Sequence, residues 1–143
     1  MADDMGWGDA GFQGNDTILT PNLDIPVSTN DYYPTLLDIL KIDMPHQPGL
    51  DGISLLTVID GRLSARNSPI GFQSGNQQAF IDDQYKIYSS DKGGSFELYD
   101  IINDPEESSD LSLEFPEIKD TLINQFNVWI KSCKQSNEGH DYH

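Results

Sequence analysis

The sequence predicts an α+β chain in which a small antiparallel sheet packs on a C-terminal helix. Three observations lead there. Ile70–Gln73, Gln78–Ile81, Tyr85–Ser89 and Phe96–Tyr99 are short runs rich in aromatic and β-branched residues, as strands are. Asp82-Asp83-Gln84 and Asp91-Lys92-Gly93-Gly94-Ser95 separate the last three as turns, which makes the set an antiparallel meander. Pro116 then opens a long helix at a favoured early position. Ile118, Leu122, Phe126, Trp129, Ile130 and Cys133 recur along it as one apolar stripe.

The elements before the sheet are weaker. Residues 10–30 have loop composition, with few large apolar side chains. Thr29 or Asn30 is positioned to cap a following helix, and Pro34 falls in its first turn, where a missing N–H is tolerated. Tyr33, Leu36, Leu37 and Leu40 repeat at i, i+3, i+4 and i+7 and give that helix one apolar face. Met44-Pro45 is expected to close it. Pro48–Ser54 reads as a loop, and Ser54 as the cap of a short helix through Ile59 that Gly61 ends. Asn103-Asp104-Pro105-Glu106 is another turn. Sheet plus helix can share a core, so residues 69–134 are the part most able to fold unaided. Residues 1–24 are expected to pack weakly.

The chain has 143 residues, ordinary for one domain, and a formal net charge of −16 with pI near 4.1. That charge disfavours nucleic acid as a partner. Hydrophobic content is 36%, low but compatible with a small core. No run approaches the roughly 18 apolar residues that span a membrane. One cysteine permits no internal disulfide.

Chemistry concentrates at Ala2-Asp3-Asp4-Met5-Gly6-Trp7-Gly8-Asp9. Neighbouring strand residues point to opposite faces, so Asp3 and Asp4 can reach one cation only where a strand ends and bends. Gly6 and Gly8 permit the bend, and carboxylates suit calcium or magnesium. The residues alone leave a second possibility, an acidic chain end without a ligand.

This stretch, with Gly11–Asn15 and Thr20-Pro21-Asn22-Leu23-Asp24, resembles the opening of the sulfatase family, whose catalytic domain is an alkaline-phosphatase-like α/β fold. The resemblance implies that Asp3 and Asp4 are calcium ligands. It also implies three parts: a remnant of the N-terminal metal-binding motif at 1–24, of the end of the catalytic domain at 25–68, and the C-terminal sheet-plus-helix subdomain at 69–143. Phe96-Glu97-Leu98-Tyr99-Asp100 and Asp104-Pro105 carry the likeness in the last part. Gly71–Ser74 and Trp129–Cys133 look closest to N-acetylgalactosamine-6-sulfatase-like members. Near Asp24–Ile25 the large middle of the family is missing, so the chain looks internally deleted. The family's hydrophobic first strand is replaced by Met1, no signal peptide is visible, and the compartment stays unread; family members are often periplasmic or extracellular.

Sulfatases attack sulfur with a hydrated formylglycine made from Cys or Ser in a Cys/Ser-x-Pro-x-Arg-like motif. Cys133 is followed by Lys134-Gln135-Ser136, and Ser28, Ser68 and Ser74 also lack that context, so this sequence cannot supply formylglycine. His46, His140 and His143 match no family catalytic position. The later Asp-Asn calcium ligands of the family fall in the missing middle, which leaves the calcium set incomplete. The cluster Asp100, Asn103, Asp104, Glu106, Glu107 and Asp110 lacks the alternating ligand spacing and central glycine of an EF-hand and reads as a turn and a solvated approach to the helix. The expected function is therefore a sulfuric ester hydrolase by resemblance, with a sulfated sugar or aryl sulfate as family substrate and no catalytic residue in this chain. Two alternatives are a small acidic binding module and a fragment of another alkaline-phosphatase-like hydrolase.

Overall fold

Ser28 starts the fold at its N-terminal side. The computed structural model describes residues 25–44, 49–62 and 65–140. Ser28 is extended, and its hydroxyl accepts from the Asn30 N–H while the Asp31 carboxylate accepts from the Ser28 N–H. This reciprocal pair is a capping box. The cap is thus Ser28, not Thr29 or Asn30. A single 3-10 turn, Thr29–Asp31, precedes the α-helix and moves the cap back along the chain. Helix α1 runs Tyr32–Leu40 and ends with Lys41 in the left-handed region, where the Ile42 N–H returns to the Leu37 carbonyl at 2.9 Å. That turn, and not Met44-Pro45, closes the helix. Helix α2 is a single turn, Leu56–Ile59, ended as expected at Gly61, whose φ is +66°.

The meander forms with the expected strands. β1 (Ile70–Ser74), β2 (Gln77–Asp82), β3 (Tyr85–Ser89) and β4 (Glu97–Asp100) pair antiparallel in sequence order. Gly75, at φ +59°, turns the first hairpin. Helix α3 spans Pro116–Asn137 with proline in its first turn.

Register builds the core. Gly71 lies opposite Phe80, Phe80 opposite Ile87, and Ile87 opposite Leu98, so these four form one row across the sheet. Leu122 and Phe126 of α3 close over that row, and all the large members are buried. Phe126 meets Phe80 and Phe96 edge-on and stacks on Trp129, with ring centroids 5.8–6.0 Å apart. A Cβ on Gly71 would stand 2.5 Å from the Trp129 indole, so the smallest residue on β1 makes the seat for the largest on α3. The outer edge of β4 is covered, because Leu98 exchanges hydrogen bonds with Asp110 and Leu111.

The apolar face of α1 does not join this core. Tyr33, Leu36 and Leu40 are exposed, and α1 contains no buried residue.

Candidate functional site

Asp3 and Asp4, the expected calcium ligands, lie outside the described residues, as do His46 and His143. The other candidates are placed. Cys133 is half-buried near the end of α3. Burial pushes its thiol up and the Asp51 carboxylate pushes it further. That is the opposite of an activated thiolate. His140 is exposed, 3.8 Å from Glu138. Ser28 caps the first turn, Ser68 donates to the Asp51 carbonyl at 3.1 Å, and Ser74 ends β1.

The acidic stretch after β4 folds back on itself. Asp100 accepts from the N–H groups of Ile102 and Asn103 and from the side-chain amides of Asn103 and Gln84. Asp104 accepts from Ser108 and Ser109, and Asp110 from Leu98 and Ser112. Burial pushes Asp100 and Asp110 up, but these donors outweigh it and hold both below the ordinary carboxylate range. Glu107 pairs with Lys86 at 2.6 Å. Lone pairs spent on N–H and O–H donors are not free for a cation. Among the described residues, no three or more His, Cys, Asp or Glu side chains are arranged to hold a metal. They do not fit calcium, which takes six to eight oxygens.

The strongest electrostatic feature is one that sequence reasoning missed. Asp31 and Arg66 are 0% and 2% exposed and pair through two parallel hydrogen bonds of 2.8 Å. Asp31 also accepts from the Ser28 N–H at 2.7 Å and the Ile53 N–H at 2.8 Å. Burial pushes this carboxyl up, yet Arg66 and the two N–H donors outweigh it and hold it below the usual range. Arg66 donates further to the carbonyls of Ser68 and Pro26, and its own N–H donates to Asp83 in the β2–β3 turn. One ion pair therefore joins the helical segment, the 51–55 loop and the sheet. Gly52 permits the close approach, since a Cβ there would lie 2.1 Å from the Asn30 carbonyl oxygen. Ser28-x-x-Asp31 is a capping-box pattern and could have marked Asp31; nothing local marks Arg66, 35 residues away.

Two polar side chains of α1 face the same loop. Thr35 accepts from the Leu55 N–H at 2.9 Å, and Asp38 accepts from the Ser54 hydroxyl at 2.6 Å. Between the β2–β3 turn and the start of α3, Asp82, Tyr85, Glu117, Ile118, Thr121 and Leu122 line a shallow groove of about 330 Å³. No described helix is long and apolar enough to cross a membrane. These arrangements position elements and supply no reacting group.

No family model matches the chain. Known proteins do. Arylsulfatase K of Mus musculus is 32% identical over 139 residues, covering 85% of this chain and 25% of its own length. A sulfatase of Formosa agariphila is 28% identical over 141 residues, covering 79% of this chain and 25% of its own length. Among solved structures, a protein designated 6S-sulf, from a Bacteroides thetaiotaomicron locus for glycosaminoglycan metabolism, shares the fold (TM-score 0.56, 21% identity, 68% of this chain, 24% of that one). So does a protein solved with its substrate D-glucosamine-2-N,6-O-disulfate (TM-score 0.53, 18% identity, 73% of this chain, 24% of that one). The chain spans about a quarter of the length of the curated relatives it matches. The relatives by sequence are sulfatases and the solved structures share the fold: the chain is similar to a fragment of a sulfatase, about a quarter of one in length.

Proposed function

We propose that this chain is a sulfatase-family segment that does not hydrolyse sulfate esters on its own. One observation carries the reading. Its single cysteine, Cys133, is half-buried on α3 with the thiol pushed up, and Lys134-Gln135-Ser136 follows it where the family motif needs proline and arginine. Sulfate-ester hydrolysis needs a strong nucleophile at a crowded tetrahedral centre. Asp3 and Asp4 are assigned as two ligands of a calcium site whose other ligands this sequence does not supply. Calcium chemistry, acting on sulfate oxygens as Lewis acid and template, therefore belongs to a more complete sulfatase. For such a protein the substrate class is a sulfated sugar or an aryl sulfate, in keeping with the disulfated glucosamine held by one neighbour in fold.

The sequence either side of Asp24–Ile25 joins parts that sulfatases keep far apart, so residues 1–24, 25–68 and 69–143 are read as three remnants of a larger design. The decisive assay is p-nitrophenyl sulfate turnover by the purified chain with and without calcium. The expected result is no rate above the uncatalysed reaction in either case. Calcium-dependent turnover would overturn the reading. A second reading, a small acidic interaction module, is favoured by the exposed apolar face of α1.

A further inference from the structure

Two kinds of bonding hold the described residues together. Phe80, Ile87, Leu98, Leu122 and Phe126 make the buried apolar cluster, and every partly buried apolar side chain packed against it lies between Tyr85 and Ile130. Residues 25–44 and 49–62 give that cluster nothing. Their one buried apolar side chain, Val58, stands outside it. The hydrogen bonds that join them to the sheet and α3 are few. Asp51 accepts from Trp129 Nε1 at 3.3 Å through its carboxylate and from the Ser68 hydroxyl at 3.1 Å through its carbonyl, and both contacts are exposed. The buried link is Arg66. Its N–H donates to Asp83 and its Nε to the Ser68 carbonyl, which fix it on the sheet side. Its guanidinium then crosses to Asp31 and the Pro26 carbonyl.

These two kinds of bonding fail differently. Apolar contacts are individually small, and many must go before a core is lost. A buried ion pair cannot part in place, because each charge would be left out of water without a partner. Parting the pair and opening the segment around it are therefore one event.

We infer that residues 25–44 and 49–62 form a flap clasped by Asp31 and Arg66. The flap leaves the sheet as one unit when the pair parts, while the sheet and α3 stay folded, a local opening below the global one. Opening also bares Arg66, which is 2% exposed when the clasp is closed. The peptide bond after Arg66 then becomes a substrate for a protease that seats a basic side chain in an acidic pocket, as trypsin does. That bond lies at the boundary between flap and sheet, so a cut there separates the two. The clasp thus makes cleavage conditional on opening. None of this depends on whether the chain turns over sulfate esters.

The test is timed digestion of the full chain by trypsin, with the cut after Arg66 followed by mass spectrometry, beside amide hydrogen exchange of the undigested chain. In the wild type the cut after Arg66 is expected to be slow. Asp31→Leu, which keeps the arginine and removes its partner, should speed it by about a hundredfold or more. The same variant should lose exchange protection across α1 and keep it in β2, β3 and α3. Asp51→Ala, which removes only the exposed bond to Trp129, should change the rate by no more than about threefold. Wild-type cleavage after Arg66 as fast as in a synthetic peptide of the same local sequence would overturn the inference. So would a rate that Asp31→Leu leaves unchanged, a change in Asp51→Ala as large as in Asp31→Leu, or protection lost from the sheet together with α1, which would mean that the whole chain opens as one.

Discussion

Asp31 and Arg66 show how one pair of residues organises half the molecule. Neither charge reaches water, and each is answered by a bidentate partner and by backbone groups. A pair of that kind adds little net stability over an apolar substitute, because desolvation offsets attraction. Breaking it is different, since the survivor stays buried and unpaired. Arg66→Met is expected to cost about 3–5 kcal/mol in urea denaturation. Asp31→Leu combined with Arg66→Met should recover much of that loss. A double variant as unstable as the sum of the singles would show that the two residues act separately. The sequence shows why this pair was hard to foresee. Asp31 is one of 24 acidic residues, and only its place three after Ser28 distinguishes it.

At the scale of elements, the meander and α3 were legible because local signals agree there. Strand runs, turn tracts and the helix stripe all favour the same arrangement; each strand came out within one residue of its expected ends, and α3 starts at Pro116 as expected. What the sequence did not announce was the fit between elements. Gly71 looks like a weak residue in a strand, yet its missing side chain admits Trp129. Gly71→Ala should therefore destabilise by about 1–3 kcal/mol through overpacking, and should shift the indole fluorescence of Trp129. An unchanged melting temperature and spectrum would mean the indole has room to move aside. Helix α1 shows the converse failure. Its apolar period was read correctly, but period alone gives a face and not a direction. Two hydrogen bonds to Ser54 and Leu55 turned the polar side inward.

For the molecule as a whole, the acidic composition becomes a dependence on pH. Asp31, Asp100 and Asp110 are all held below the ordinary carboxylate value of 3.8 by their donors. An unfolded chain then binds protons that the folded one refuses, so stability is lost as pH falls. The contribution is complete above the ordinary value and disappears as pH drops through the lowered folded values. Urea midpoints taken from pH 7 to pH 2.5 should stay level from these groups down to about pH 5 and then fall. Asp31→Asn should flatten the fall, because the most buried of the three no longer titrates. The exposed Asp91 and Asp104 contribute less, since water screens their partners. A midpoint that rises on acidification would contradict this account.

The sequence by itself determined the sheet, the long helix, the absence of a formylglycine motif and, through its resemblances, the likeness to sulfatases. These depend on neighbours along the chain or on residue identity alone, and both are complete in a string of letters. Only the tertiary structure decided which carboxylate is buried, which glycine makes room for an indole, and that α1 turns its apolar side outward. Those outcomes depend on partners up to 58 positions apart, as Gly71 and Trp129 are, and packing energy between distant residues leaves no local periodicity to read.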